Sequence, residues 1–137
     1  MNGAEHLTIA PKDWALPVGY SNGILAARGR TLFMAGQVGW DANQVFHSAE
    51  LAPQFEQALI NILAIVAEAG GRPEDVCRMT CFCKDKPAYV KARKKLGGIW
   101  KTHFGRHFPA MSMIFVADLL DSPAVIEIEA TAIIPDV

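Results

Sequence analysis

The sequence predicts an α+β fold in which a single β-sheet carries both helices on one face. Two segments have apolar residues at helical spacing, and several shorter segments alternate apolar and polar residues or are rich in β-branched side chains. The predicted order is ββ-α-β-α-ββ, and helices packed against one side of a sheet satisfy such a pattern. The chain length fits one domain over residues 1–137, and we expect residues 1–15 to be irregular.

Glycine and proline mark most of the predicted element boundaries. The turn at 28–30 joins the first two strands into a predicted hairpin. Gly70-Gly71 ends the first helix, for which Ser48 is the predicted N-cap, and Pro87 begins the second helix. Asp121-Ser122-Pro123 lies in the loop between the last two strands. In order, the predicted elements are strands over 19–26 and 31–40, a helix over 48–69, a strand over 76–84, a helix over 87–104 and two strands within 107–132.

Composition and charge exclude several classes of function. The net charge of −1, from 13 basic and 14 acidic residues, gives no electrostatic basis for binding nucleic acid. No apolar run is long enough for a membrane span, and no signal peptide is visible. Three cysteines within one predicted strand, Cys77, Cys81 and Cys83, are expected to be free thiols in a reducing cytoplasm. The apolar content of 51% suggests the extra buried surface of an oligomer.

The last predicted strand carries two carboxylates within an apolar run. Because strand side chains alternate between faces, Glu127 and Glu129 should share one face while Ile126 and Ile128 take the other. Each carboxylate is then either an exposed charge or a site residue. No metal or cofactor motif accompanies them: the glycine pairs lack phosphate-loop spacing, and no serine or cysteine has an evident base nearby. We therefore expect no metal and no cofactor.

Five segments along the chain occur together in a recognisable order. They are Gly19-Tyr20-Ser21-Asn22-Gly23, Ala35-Gly36-Gln37-Val38-Gly39, Gln57-Ala58-Leu59-Ile60-Asn61-Ile62, Phe108-Pro109-Ala110 and Ile126-Glu127-Ile128-Glu129-Ala130. With these motifs the chain resembles the RidA/YjgF family of enamine and imine deaminases from about Pro17 to Ile134. The resemblance implies a chorismate-mutase-like fold and a homotrimer with clefts between subunits. It also implies hydrolysis of enamines or imines such as 2-aminoacrylate to 2-keto acids and ammonia, without a cofactor.

The same resemblance implies roles for individual residues. Tyr20 matches the tyrosine that contacts substrate, and Glu127 matches the carboxylate that positions or activates the hydrolytic water. Gly36 and Gln37 match the strand that shapes the cleft wall. Trp40 follows that strand and either lines the cleft mouth or packs against a neighbouring subunit.

One position departs from the family pattern. Deaminases of the principal subgroup have an arginine after Pro-Ala, which binds the substrate carboxylate through a bidentate pair, whereas this chain has Met111. Losing one partner of a desolvated charge pair typically costs about 2–5 kcal/mol. Arg93, on the second helix, is our candidate replacement, and the alternative is that it belongs to the solvated face formed by Lys91–Lys95. Ala35 also stands where a serine is common.

Two functions follow from this combination. The first is a RidA-like hydrolase that deaminates an enamine or imine other than 2-aminoacrylate, with Glu127, or alternatively Glu129, handling the proton of the water. The second is a non-catalytic trimer that binds a small molecule or has a regulatory role. A role in binding RNA has no residue-level support, because the sequence has no platform of aromatic and basic residues.

Overall fold

The computed structural model describes residues 5–136, which form six strands, two α-helices and one 3-10 helix (Pro73–Asp75). In chain order the strands and α-helices are β1 (Leu7–Ile9), β2 (Gly23–Leu25), β3 (Gly29–Val38), α1 (Leu51–Glu68), β4 (Val76–Cys83), α2 (Lys86–Phe104), β5 (Ala110–Phe115) and β6 (Ile126–Pro135).

Four of the strands form a mixed sheet in the order β3-β6-β4-β5. Strand β6 is antiparallel to both of its neighbours, and β5 is parallel to β4, so α2 is the crossover between the two parallel strands. β5 and β6 are consecutive in sequence but are separated by β4. Their connection, residues 116–125, passes the end of β4, where the Val116 N–H donates to the Cys83 carbonyl at 3.0 Å and the Lys84 N–H donates to the Val125 carbonyl at 3.1 Å.

Both helices pack on the same face of this sheet, which confirms the predicted fold class. Apolar side chains from α1, α2 and the sheet form one cluster, in which Leu59, Ile62, Met79, Ile126 and Ile128 are at most 1% exposed. Burying such side chains is the main stabilising term of the fold, at about 1.5–3 kcal/mol for each fully buried large residue. In the described part of the chain, neither helix is long and apolar enough to cross a membrane.

The predicted N-terminal hairpin is wrong. β2 pairs with β1 in a separate two-stranded sheet, and β3 pairs with β6. β6 gives β3 a partner of equal length, whereas β2 has only three residues to offer. β1 lies inside the segment 1–15 that was expected to be irregular; residues 1–4 of that segment lie outside the described residues. The prediction of a single sheet therefore holds for the four long strands and omits the β1–β2 pair.

The helix boundaries differ slightly from the prediction. Glu50 rather than Ser48 precedes the first turn of α1, and the Ser48 hydroxyl instead accepts a hydrogen bond from the Glu50 N–H at 3.0 Å. For α2, Asp85 is the N-cap, and its carboxylate accepts a hydrogen bond from the Ala88 N–H at 3.0 Å.

Candidate functional site

A cavity of about 420 Å³ lies between α2, the neighbouring strands β4 and β5, and the segment that precedes β2. Its inner end is made of buried apolar side chains, and exposed residues surround its mouth. The lining residues are Val18, Gly19, Tyr20, Phe55, Cys81, Tyr89, Arg93, Leu96, Gly97, Trp100, Phe108, Met111 and Met113. Arg93 is the one charged residue among them. Cavities of this size are typical of small-molecule sites.

One face of α2 forms a wall of the cavity. Tyr89, Arg93, Leu96 and Trp100 recur at spacings of three and four residues, so they lie on one side of the helix. Gly97 adds a gap to this wall, since a Cβ built there would have no heavy atom within 4 Å. The helix thus lines the cavity with aromatic side chains, one cationic side chain and the gap at Gly97.

Tyr20 lies at the cavity mouth because the residue after it is tied to the start of β5. The Ser21 N–H donates to the Pro109 carbonyl at 3.0 Å, and the Ser21 hydroxyl donates to the Phe108 carbonyl. Ser21 is 8% exposed and Tyr20 is 41% exposed, so the anchor is buried and the tyrosine ring remains accessible.

Arg93 and Met111 line the cavity together. Met111 is half-buried on β5, opposite Met79 of β4, so the position where the resemblance implies an arginine does border the cavity but carries a thioether. Arg93 is exposed and pairs with none of the carboxylates in the described residues. Burial raises the pKa of the Tyr89 hydroxyl, and the nearby charge of Arg93 acts in the opposite direction. Arg93 therefore differs from Lys91, Lys94 and Lys95, which are exposed and do not line the cavity.

Glu127 lies on the other face of the sheet. Ile126 and Ile128 are fully buried under the helices, while Glu127 is half-buried and Glu129 is exposed, so the predicted alternation of faces is confirmed. Burial raises the pKa of the Glu127 carboxyl, with further contributions from the charges of Asp121 and Glu129. Glu127 does not line the cavity. Within one chain, the sheet separates this carboxylate from Tyr20, Arg93 and Met111.

A bulge in β3 makes room for the Glu127 side chain. The pairing of β3 with β6 shifts register between Met34 and Gln37. A Cβ at Gly36 would lie 2.9 Å from the Glu127 Cδ, so the carboxylate occupies the space that a side chain would fill. Gln37 donates through Nε2 to the Ala35 carbonyl at 3.0 Å. Gly36 thus borders Glu127, and neither Gly36 nor Gln37 lines the cavity.

Trp40 lies beyond the end of β3 and does not line the cavity. Its ring packs against Phe46 with the centroids 5.6 Å apart, and its carbonyl accepts a hydrogen bond from the Asn61 side chain at 2.8 Å. Within one chain Trp40 stabilises the loop after β3, and the prediction that it contacts ligand stays a prediction.

Several cavity residues were missed by the sequence reasoning. Tyr89, Gly97 and Trp100 on α2 line the cavity but were not among the predicted site residues. The alternation from Met111 to Met113 along β5 was the signal that could have added Met113. The described residues contain no group of three or more His, Cys, Asp or Glu side chains arranged to hold a metal ion.

The fold and these two regions define a class of protein. It is an α+β protein of the chorismate-mutase-like type, with an apolar cavity on the helix face of its sheet and a carboxylate of raised pKa on the open face.

Comparison with known proteins narrows this class to a family. The family described as Endoribonuclease L-PSP matches residues 14–134. A RutC family protein of Pyrococcus horikoshii is 34% identical over 125 residues, which is 90% of each chain. The 2-iminobutanoate/2-iminopropanoate deaminase of Escherichia coli is 31% identical over 127 residues, covering 92% of this chain and 96% of that one. Among solved structures, a Rid family protein of unknown function from Yersinia pestis has a TM-score of 0.84 at 33% identity, covering 94% of this chain and 98% of that one. This chain belongs to the RidA/YjgF family.

Proposed function

We propose that this protein hydrolyses a reactive imine or enamine to a carbonyl compound and ammonia. The observation that carries the proposal is Glu127, a half-buried carboxylate of raised pKa that occupies the recess at Gly36. A carboxylate with a raised pKa suits proton transfer near neutral pH. The family relative from Escherichia coli that carries the name of an imine deaminase supports the same chemistry.

The proposed reaction uses one water molecule. An enamine first tautomerises to the imine. Glu127 then accepts a proton from water while the water oxygen bonds to the imine carbon, and the C=N bond becomes a C–N single bond whose nitrogen takes up a proton. The amino group of this carbinolamine then takes the proton held by Glu127. The carbon–nitrogen bond breaks to release ammonia, and the hydroxyl loses its proton to solvent as it becomes the carbonyl. No oxidant, reductant or cofactor is needed for this balance.

The proposed site forms between subunits of a homotrimer, because one chain holds its two halves on opposite faces of the sheet. Exposed apolar side chains border each half. Val18, at the cavity mouth, is 85% exposed, and Phe33, which pairs with Thr131 on the face of Glu127, is 80% exposed. Contiguous exposed apolar surface often marks a protein–protein interface. In a cyclic assembly, the cavity of one subunit can then face the Glu127 of the next.

Met111 requires that the substrate be held differently from the substrates of arginine-bearing relatives. A thioether provides no charge for a carboxylate, and Arg93 is the cation that the cavity offers instead. The nuclease activity in the family description is not part of the proposal, because a net charge of −1 gives nucleic acid no attraction to this chain.

The test measures keto-acid formation from a panel of freshly generated imines. We expect rates above the buffer rate for the wild type and a loss of roughly 100-fold or more in Glu127→Gln, since general base catalysis contributes about 10²–10⁴-fold. Glu129→Gln is the matched control on the same face and should retain most of the activity. Wild-type rates equal to the buffer rate, or full activity in Glu127→Gln, would refute the proposal.

Subunit mixing tests whether the site is shared between chains. Glu127→Gln and Arg93→Ala each damage one half of the site, so each homo-oligomer should be inactive. Mixed after joint refolding, they should recover up to about a quarter of wild-type activity, because some clefts then combine an intact cavity with an intact Glu127. Absence of any recovery, with mixed oligomers demonstrated by mass spectrometry, argues that both groups act within one chain.

A second function is favoured by one specific observation, the loss of the arginine at Met111. A trimer that binds a small molecule without turning it over would keep the cavity and need no base. Ligand binding in the absence of any imine hydrolysis, with Met111→Arg creating activity on 2-iminopropanoate, would favour this alternative.

A further inference from the structure

The cavity is larger and more apolar than a three-carbon imino acid needs. Its inner end is closed by Phe55, Leu96 and Trp100, which are at most 5% exposed. Phe108 and Met113 add further half-buried apolar surface along one side. A substrate with a methyl side chain would leave most of this surface without contact, and unfilled apolar space forfeits dispersion and hydrophobic energy.

The charged group lies at the opposite end from this apolar surface. Arg93 and Tyr20 are exposed at the mouth, and the buried aromatic residues lie deeper. A ligand that matches this distribution has an anionic group at one end and a bulky apolar group at the other. The half-buried thioether of Met111 also lines the cavity and suits an apolar chain rather than a second anion.

Gly97 contributes the space that such a ligand needs. It lines the cavity one turn after Arg93, and a Cβ there would meet nothing within 4 Å. A glycine inside a helix costs about 1 kcal/mol against alanine, and no neighbouring atom of this chain requires it. Gly98 beside it has equally open surroundings but does not line the cavity, so it provides a matched control.

We infer that the cavity selects imines of amino acids with large apolar or aromatic side chains, with the substrate carboxylate at Arg93 and the side chain passing Gly97 toward Trp100. The chemistry of this inference rests on the proposed function, whereas its binding component does not. Gly97 is the residue that sets the permitted size, and Arg93 is the residue that recognises the acid.

The kinetic test compares the imines of phenylalanine, leucine and alanine, each generated in situ from the amino acid by an oxidase. Because one methylene in an apolar pocket changes kcat/KM by about 10–200-fold, we expect the phenylalanine and leucine imines to exceed the alanine imine by at least about tenfold. Gly97→Leu should remove this preference, lowering kcat/KM for the phenylalanine and leucine imines more than for the alanine imine. Gly98→Leu should change neither. Turnover restricted to the alanine imine, or equal effects of the two leucine variants, overturns the inference while the proposed function stands.

A binding test separates the inference from catalysis. Phenylpyruvate, the keto acid expected from phenylalanine imine, should bind to the wild type and quench Trp100 fluorescence, and its affinity should fall at least about tenfold in Gly97→Leu. Phenylacetone lacks the carboxylate and should bind several-fold more weakly, a difference that Arg93→Gln should abolish. If these results appear without turnover of any imine, the proposed function fails and the cavity assignment holds. If phenylpyruvate does not bind, or binds Gly97→Leu equally well, the assignment fails.

Discussion

Replacing Gln54 should reveal how the open face of the sheet is held in place. Gln54 lies in α1 and is 1% exposed, and its side chain makes three hydrogen bonds to main-chain atoms. Nε2 donates to the carbonyls of Ser48 and Pro123, both at 2.9 Å, and Oε1 accepts from the Val125 N–H at 2.8 Å. These bonds join the helix to the loop that leads into Glu127. Gly39 packs directly against this side chain, because a Cβ at Gly39 would lie 2.6 Å from the Gln54 Cβ.

The magnitude follows from what Gln54→Leu leaves behind. Leucine fills a similar volume, so little water can enter, and one N–H and two carbonyls lose their partner. A net value of about 1 kcal/mol for each bond gives a loss of about 3 kcal/mol, and the loss is larger where a group stays unpaired. This is a large fraction of the 5–15 kcal/mol that stabilises a typical domain. In the same helix Gln57 makes one side-chain bond, to Asn61 at 2.9 Å, and is half-buried. Gln57→Leu should therefore change stability by less than about 1 kcal/mol.

The free energy of unfolding of both variants is measured by urea unfolding, followed by far-UV circular dichroism. All proteins are compared at one protein concentration, because assembly can stabilise the folded chain. Because the loop carries Asp121 and leads to Glu127, Gln54→Leu should also lower imine hydrolysis in protein that is still folded. If the free energy of unfolding of Gln54→Leu lies within about 1 kcal/mol of the wild-type value, these three bonds do not hold the loop. An equal loss of stability in Gln57→Leu would lead to the same conclusion.

Three further predictions follow from shifted pKa values. Burial and the charge of Asp121 raise the pKa of Glu127, so Asp121→Asn should move the acid limb of the kcat/KM profile to lower pH. Asp118→Asn, at an exposed position of the same loop, should leave the acid limb where it is. Acid limbs at the same pH in the wild type and both variants would contradict this prediction. A carboxyl whose pKa is raised by folding stabilises the folded protein at low pH, and this contribution is lost as the pH rises through the folded pKa. At pH 7 the Glu127→Gln variant should therefore unfold at no lower urea concentration than the wild type. Burial also raises the pKa of the Cys81 thiol to about 12. Iodoacetamide at pH 8 should therefore leave Cys81 unlabelled in folded protein and alkylate it after unfolding. Rapid labelling of Cys81 in the native chain would show that the thiol is accessible.

The sequence predicted those features whose cause is local. Helix α2 begins where an Asp-Lys-Pro sequence supplies the cap and the first turn, and the alternation from Ile126 to Glu129 placed each side chain on its observed face. The pairing of β1 with β2 could not be predicted in the same way. Three-residue strands carry almost no periodicity. Because β3 pairs with β6, β1 is the strand with which β2 pairs.

The arrangement of the site was beyond local reasoning for a different reason. The motifs identified Tyr20 and Glu127 but contain no information on which side of the sheet each lies relative to the other. That relation depends on the strand order β3-β6-β4-β5 and on the bridge between Ser21 and Ala110 at the start of β5. Arg93 was assignable to the cavity only once the face of α2 that packs over β4 and β5 was known.

Each half of the site contains one glycine, Gly36 or Gly97, that the backbone conformation does not require. Neither has the positive φ that would require glycine, since the positive-φ glycines in the described residues are Gly19, Gly70 and Gly105. Each lies inside a regular element, where glycine is less favourable than alanine by roughly 0.5–1 kcal/mol. Gly36 leaves the space that the Glu127 carboxylate fills, and Gly97 leaves space that no atom of the chain fills. Local preferences are most often violated where function needs it, so the filled space supports the proposed base and the empty one the proposed position of the substrate.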